Sequence, residues 1–228
     1  MGLEVLSIIP KDPDVFEKIE QDILKLIQKN GLSKGGRVRL TVSRSSAGFY
    51  RPEDENGLDY HIAAYTMPEN GFALNEKGLI VDIYTDFRKQ INRMAYFKTL
   101  NCQLYIMASV HAKQKGLDNV LLTNENDCII EAANSNLFIV SNGVLYTPPL
   151  ADGCLGGTMR MEVINTAIRH DIKVYETTLR PQNLLVADEV FLTNATLGIQ
   201  WVSAYRQKRY YHNQAQRLVQ YLNEEVSL

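Results

Sequence analysis

Residues 147–160 read TPPLADGCLGGTMR. Pro148 and Pro149 each fix φ and lack a backbone donor, which sets an extended approach. Gly153, Gly156 and Gly157 then admit backbone turns that a side chain would block. Thr158 opens the run TMRMEVINTAIRH, whose Met161, Ile164 and Ile168 fall at helical spacing. A glycine turn feeding a helix leaves the first N–H groups without partners, and the helix dipole favours an anion beside them. Taken alone, this is a strand–turn–helix corner. The nucleotide-loop pattern GxxxxGK[ST] is absent, so the flanking chain must decide what the turn holds.

Toward the C-terminus, residues 172–178 read as a strand and 181–186 as a short helix. Residues 189–193 form an apolar strand ending in the polar step Asn194, Ala195, Thr196; a strand through Trp201 and a helix over about 213–225 follow. Toward the N-terminus, Asn142-Gly143 is a hairpin turn, and 129–139 reads as two strands around AANSN. Residues 120–123 form a strand, preceded by a helix with Leu104, Met107 or Ala108, and His111 on one side and Gly116 at its end. Residues 86–96 are charged and aperiodic, as a linker would be. Before them come strands at 79–84 and 60–67 joined by the turn-rich PENGF, a polar loop over 44–59, and a strand at 37–43. A helix opens the chain, started by Asp12-Pro13, striped by Phe16, Ile19, Ile23 and Leu26/Ile27, and closed by Asn30-Gly31. The expected fold class is α+β, with a small α+β domain over 1–90 and a larger, strand-rich domain with peripheral helices over 91–228.

The 228 residues suffice for a sizeable core, and 45% apolar with 22% charged residues is a globular composition. A net charge of −2 argues against a nucleic-acid surface. Cys102, Cys128 and Cys154 are odd in number and lack CxxC spacing, which fits free thiols in the cytoplasm better than disulfides or zinc. The four histidines are scattered, so no metal is expected. The start MGLEVLSIIPKD has no basic, apolar leader pattern, and no stretch is long enough to span a membrane.

Three residues could carry chemistry. Lys98 sits among Tyr96, Phe97 and Leu100, and a desolvated lysine can attack a carbonyl to form a Schiff base; it could equally be a snorkelling surface lysine. Glu131, between Ile129-Ile130 and Ala132-Ala133, is a carboxylate that burial would require to be paired, or else a strand-edge acid facing water. Thr196 and its neighbours offer more N–H and hydroxyl donors for an anion. A lysine for an aldehyde, an acid for a ring nitrogen and donors for a phosphate together describe a site for pyridoxal 5'-phosphate.

The ordered motifs KTLN (98–101), EAANSNLF (131–138), TPP (147–149), LGGTMR (155–160), ADEVFLTNAT (187–196) and IQWV (199–202) resemble the class IV aminotransferases, the fold-type-IV pyridoxal-phosphate enzymes. That family includes branched-chain and D-amino-acid aminotransferases and 4-amino-4-deoxychorismate lyase. The resemblance implies that Lys98 is the Schiff-base lysine and proton shuttle, and that Glu131 pairs with the pyridine nitrogen. It further implies that Leu155 packs on the ring, that Gly157, Thr158 and Met159 cradle the phosphate, and that Ala195 or Thr196 assists. It also implies a homodimer acting on a small amino acid and keto acid.

Two features depart from the family pattern. Its amino-terminal helix HLxRL, whose arginine holds the phosphate, finds no match here, and residues 1–5 resemble the stretch just after it. The expectation is therefore a chain that begins about fifty residues into the family's pattern, within ordinary domain sizes. In SRSSAGF, Phe49 stands where lyases and D-amino-acid enzymes carry a substrate-binding arginine, with Arg51 two residues on; Arg51 and Thr196 are the candidate substrate contacts. Three functions are open at this point: an aminotransferase, a lyase on the same scaffold that expels pyruvate, and a non-catalytic relic or binding module.

Overall fold

The computed structural model describes residues 2–32, 34–54, 57–67 and 71–226. The chain separates into two compact units, Met1–Gly71 and Phe72–Leu228. The division thus falls well before residue 90, because the strand Leu79–Ile83 is hydrogen-bonded into the sheet of the second unit. The charged stretch over 86–96 consequently lies within one unit and is not an inter-domain linker. The turn expected at 68–70 is outside the described residues.

In the first unit, α1 (Gly2–Val5) and α2 (Val15–Lys29) precede a long antiparallel pair, β1 (Gly36–Arg44) and β2 (Leu58–Thr66), in register from Gly36 opposite Thr66 to Arg44 opposite Leu58. Val15 and Ile19 are the buried residues of α2, whereas Phe16 is exposed, so the apolar stripe is set by Val15 in its place. The helix begins at Val15, after a turn in which Asp12 accepts from the backbone of Asp14. Asp22 on α2 accepts from the Tyr60 hydroxyl of β2 at 2.8 Å, a side-chain tie between helix and hairpin.

The second unit holds β3 (Leu79–Ile83), a 3-10 turn (Arg93–Tyr96), α3 (Gln103–Gln114), β4 (Asn119–Thr123), β5 (Ile129–Ala132), β6 (Asn136–Ser141) and β7 (Val144–Thr147). A second 3-10 turn (Leu150–Asp152), α4 (Thr158–Arg169), β8 (Val174–Glu176), α5 (Pro181–Val186), β9 (Glu189–Asn194), β10 (Gly198–Tyr205), β11 (Lys208–Arg209) and α6 (Asn213–Val226) complete it. Strands β10, β3, β4, β5, β6 and β9 pair in that cyclic order, because β9 bonds both β6 and β10 and closes the path. Closure removes the open edges of these strands. Both faces of β4, β5 and β6 are covered, so every residue of these strands but Ser141 is buried, the polar ones included.

Successive residues go to different cores, as a period of two requires. Leu137 and Ile139 join Val81, Leu121, Val190, Leu192 and Val202 in one cluster, to which all six ring strands contribute. Phe138 and Val140 turn the other way and pack with α4 and α6 through Met159, Val163, Ala167, Leu218 and Leu222. Val120, Leu122 and Ile130 pack with Ala108 and Ala112 of α3.

Two helix faces are corrected by the packing. On α4 the buried apolar positions are Met159, Val163 and Ala167, while Met161 and Ile168 are exposed and Ile164 only half-buried. On α3, Ala108 takes the inward position and Met107 is exposed. Asn142 (φ 51) and Gly143 (φ 75) form the β6–β7 turn with positive φ at both positions, the geometry that suits a two-residue hairpin. No described helix is long and apolar enough to cross a membrane.

Candidate active site

The site is organised by the carboxylate of Glu131. It lies on β5 opposite Leu122 of β4 on one side and Asn136 of β6 on the other, in the middle of a sheet, and is 2% exposed. The water-facing reading of this acid is therefore wrong. A carboxylate at such a place must be satisfied by donors. Three supply it: Lys89 Nζ donates to Oε1 at 2.6 Å, the Tyr105 hydroxyl donates to Oε1 at 2.8 Å, and the backbone N–H of Leu155 donates to Oε2 at 2.8 Å. A carboxylate that accepts three such bonds is used as an acceptor only, which is the role of the ionised acid.

Lys89 and Tyr105 went unnoticed in the sequence. Lys89 lies in the charged stretch over 86–96, and its partner is far along the chain. The backbone places it: Lys89 N donates to Thr123 O at 2.9 Å, continuing the sheet beside the end of β4. Its ammonium also donates to Ala95 O at 3.1 Å and lies 5.4 Å from the centre of the Tyr105 ring. Tyr105 comes from the inner side of α3. Burial, then the Glu131 charge, pushes its hydroxyl well above the usual phenol range, so it stays a donor.

The glycine turn is locked to the same acid. Leu155 is held by both backbone groups: its N–H by Glu131, and its carbonyl by Asn136 Nδ2 at 2.7 Å. Gly156 N donates to Tyr96 O at 3.0 Å, which ties the turn to the segment that leads to Lys98. Gly157 precedes the first residue of α4, and the first bond across the helix entrance is Met161 N to Gly157 O at 3.1 Å. The N–H groups of Thr158 and Met159 come before that bond, and among the described residues they have no acceptor. A helix of this length with two such donors is a place for an anion.

The step after β9 belongs to the same construction. Asn194 Oδ1 accepts from the N–H groups of Thr196 and Leu197 at 3.0 and 2.8 Å, which shapes the turn around Ala195 and Thr196. Its Nδ2 donates to Ser135 Oγ at 3.0 Å, which donates in turn to Asn134 Oδ1, also at 3.0 Å. The segment 131–136 thus joins two turns: Glu131 and Asn136 grip the α4 turn, and Ser135 grips the β9–β10 turn.

Lys98 follows the 3-10 turn, whose first N–H groups are capped by Asn92. It is exposed, so the desolvated setting expected from Tyr96, Phe97 and Leu100 is not found; its ammonium has no hydrogen bond or ion pair among the described residues, in contrast to Lys89. Arg51 is exposed in the first unit, where Phe49 and Tyr50 beside it are also exposed. A buried acid bonded to the turn at a helix start with two unpartnered N–H groups offers an acceptor and donors of the kind that pyridoxal phosphate needs for its nitrogen and phosphate. A Cβ on Gly157 would lie 2.1 Å from Asn136 Oδ1, so the close backbone approach at the helix entrance is built in.

A closed mixed sheet carrying these motifs in this order defines a class of protein, and the match is direct: the chain belongs to the amino-transferase class IV family, whose pattern it fits over residues 7–205. That family uses pyridoxal 5'-phosphate. A probable branched-chain-amino-acid aminotransferase of Synechocystis sp. is 28% identical over 186 residues, which are 80% of this chain and 60% of that protein. The D-alanine aminotransferase of Bacillus licheniformis is 25% identical over 182 residues, 80% of this chain and 62% of that one. The chain thus spans about three fifths of the length of these two relatives. The branched-chain amino acid aminotransferase of Escherichia coli shares the fold with a TM-score of 0.85 at 22% identity, covering 96% of this chain and 72% of that one.

Proposed function

We propose that this chain is a pyridoxal-phosphate aminotransferase that moves an amino group between an amino acid and a 2-keto acid. The observation that carries the reading is the backbone of Leu155, held through its N–H by the buried carboxylate of Glu131 at the entrance of α4. One frame thereby fixes an acid for a ring nitrogen and a helix start for a phosphate. Pyridoxal phosphate supplies an aldehyde for an amine and a ring that accommodates the charge left when a Cα proton is removed. Lys98, whose amine is free, holds the aldehyde and carries that proton. Glu131 accepts from the ring nitrogen. Leu155 packs on the ring, the N–H groups of Thr158 and Met159 bind phosphate beside Gly157, and the Thr196 turn supplies a further donor next to Ala195.

Relatives named for branched-chain and D-amino acids support an amino-acid substrate and leave its hand open. We further infer a homodimer in the cytoplasm. The family resemblance supports the first, and three free cysteines support the second.

The test is to add pyridoxal phosphate to the chain, follow the visible absorption, reduce with borohydride and map the modified peptide. Labelling of Lys98, lost in Lys98→Ala, together with consumption of 2-oxoglutarate in a coupled assay, is the expected result. Labelling without consumption of any keto acid would leave a binding module. Pyruvate released from aminodeoxychorismate without a keto-acid acceptor would make the chain a lyase. Sedimentation as a monomer at micromolar concentration would refute the dimer.

A further inference from the structure

We propose that Lys89 is a positioning residue of this site, which acts through Glu131 to keep the proton shared by that acid and the cofactor's ring nitrogen on the nitrogen. The proposal rests on the reading of Glu131 given above and names a residue that reading does not use.

The geometry is specific. Lys89 is 9% exposed, an unusual place for a lysine unless it is paired. Its amino group has two acceptors, Glu131 Oε1 at 2.6 Å and Ala95 O at 3.1 Å, so it is held in place against the acid. That removes Lys89 as an amine for an aldehyde and leaves the role to Lys98.

The charge argument compares two arrangements of one proton. With the proton on the ring nitrogen, Glu131 is an anion in contact with two cations, Lys89 and the ring. With the proton on Glu131, both acid and ring are neutral and Lys89 stands without a counter-charge in a buried place. Lys89 is in direct contact with the carboxylate, and the ring would be further off, beyond it. Its attraction to the anion therefore exceeds its repulsion of the ring, since charge interactions fall with distance. The other titratable groups around the acid are Tyr105, which donates to it, and Cys154, whose thiol burial pushes up to about 11. Neither replaces the cation.

The experiment uses Lys89→Met, Lys89→Arg, Glu131→Gln and the Lys89→Met/Glu131→Gln double variant. Four quantities are measured: the nitrogen-15 signal of ring-labelled pyridoxal phosphate on the protein, kcat, KM, and the melting temperature without cofactor. We expect Lys89→Met to move the signal toward that of the unprotonated ring and to lower kcat about tenfold, below the usual contribution of a direct acid–base group. KM changes little, and Lys89→Arg restores most of the loss. Without cofactor, Lys89→Met melts lowest of the single variants, and the double variant melts higher because its buried pair is neutral.

The double variant should be no slower than Glu131→Gln alone, since a residue acting only through Glu131 has nothing left to act on. If Lys89→Met does not fold, that last comparison and its nitrogen signal carry the test. A further drop in kcat from Glu131→Gln to the double variant overturns the proposal. So does a wild-type nitrogen signal in Lys89→Met when Glu131→Gln has shifted it. An unshifted signal in Glu131→Gln removes the underlying reading of Glu131, and this proposal with it.

Discussion

A Cβ on Gly157 would lie 2.1 Å from Oδ1 of Asn136, far inside contact distance, although Gly157 itself has ordinary extended dihedrals of φ −69 and ψ 140. Glycine is required there for space and not for backbone freedom. Asn136 cannot swing away without releasing the Leu155 carbonyl it holds at 2.7 Å. Gly157→Ala should therefore destabilise the chain by about 1–3 kcal/mol, the usual range for overpacking, and weaken pyridoxal-phosphate binding more than tenfold. Gly156→Ala is the control, since its Cβ would meet Tyr96 O at 3.4 Å and ask only a small adjustment. Denaturant unfolding and cofactor titration of both variants check this; equal behaviour would contradict it.

Glu131→Gln keeps the shape of the acid and removes its charge. Its carbonyl oxygen can still accept from Leu155 N–H, so the entrance to α4 should hold and cofactor should remain bound. Turnover should fall by at least about a hundredfold, the lower end for one placed acid–base group. The variant is also expected to melt lower, because Lys89 is left with no counter-charge. The check is cofactor content and kcat on the same preparation. A cofactor-loaded, fully active Glu131→Gln would make Glu131 a structural residue.

The three thiols should differ sharply in reactivity. Cys102 is exposed at the start of α3, whereas Cys128 and Cys154 are buried. Cys154 is pushed up to about 11 mainly by burial, against the nearby Arg160 charge, so at pH 8 only about one molecule in a thousand carries the reactive thiolate. A chromogenic disulfide reagent should titrate one thiol quickly in the native protein and three after denaturation. Two fast thiols would show that the region of β5 or of the glycine turn opens readily.

The glycine turn, the hairpin at Asn142-Gly143 and the burial of a paired Glu131 were legible in the sequence, because each rests on local chemistry: a helix start, positive φ, a charge among apolar neighbours. Lys89 was not legible. The partners Lys89 and Glu131 are 42 positions apart, and only the run of Lys89 beside the end of β4 brings them together. A charged, aperiodic stretch looks like a linker when its one buried cation has no partner in view. The placement of Leu79–Ile83 failed for the same reason, since pairing with β10 reaches across most of the unit. On α4 the error was of another kind. Met159, Val163 and Ala167 compete with Met161, Ile164 and Ile168 as apolar stripes, and which one faces inward is decided by Phe138 and Val140 across the core.

The closing contact of the second unit, between α4 and α6, gives a pH prediction. Glu225 accepts from Arg169 Nε at 2.9 Å and from Thr166 Oγ1 at 2.8 Å, and Arg169 also reaches Glu162 at 2.7 Å. The Arg169 guanidinium, with burial opposing and Thr166 assisting, holds the Glu225 carboxyl below the usual carboxylate range. A carboxyl lowered in the folded state adds stability that is fully present above its unfolded value and is lost as pH falls through its folded value. Wild type should therefore exceed Glu225→Gln by about 1 kcal/mol at pH 7, since the pair is only partly shielded from water. That margin should stay level while the pH is above the ordinary carboxylate range and shrink as the pH falls below it, through the lowered folded value. High salt should shrink it at pH 7, because the Arg169 side chain is half exposed. Urea unfolding at pH 7, 5 and 3 measures the margin directly. A difference that persists unchanged at pH 3 would mean that Glu225 acts through packing against α4 and not through its charge.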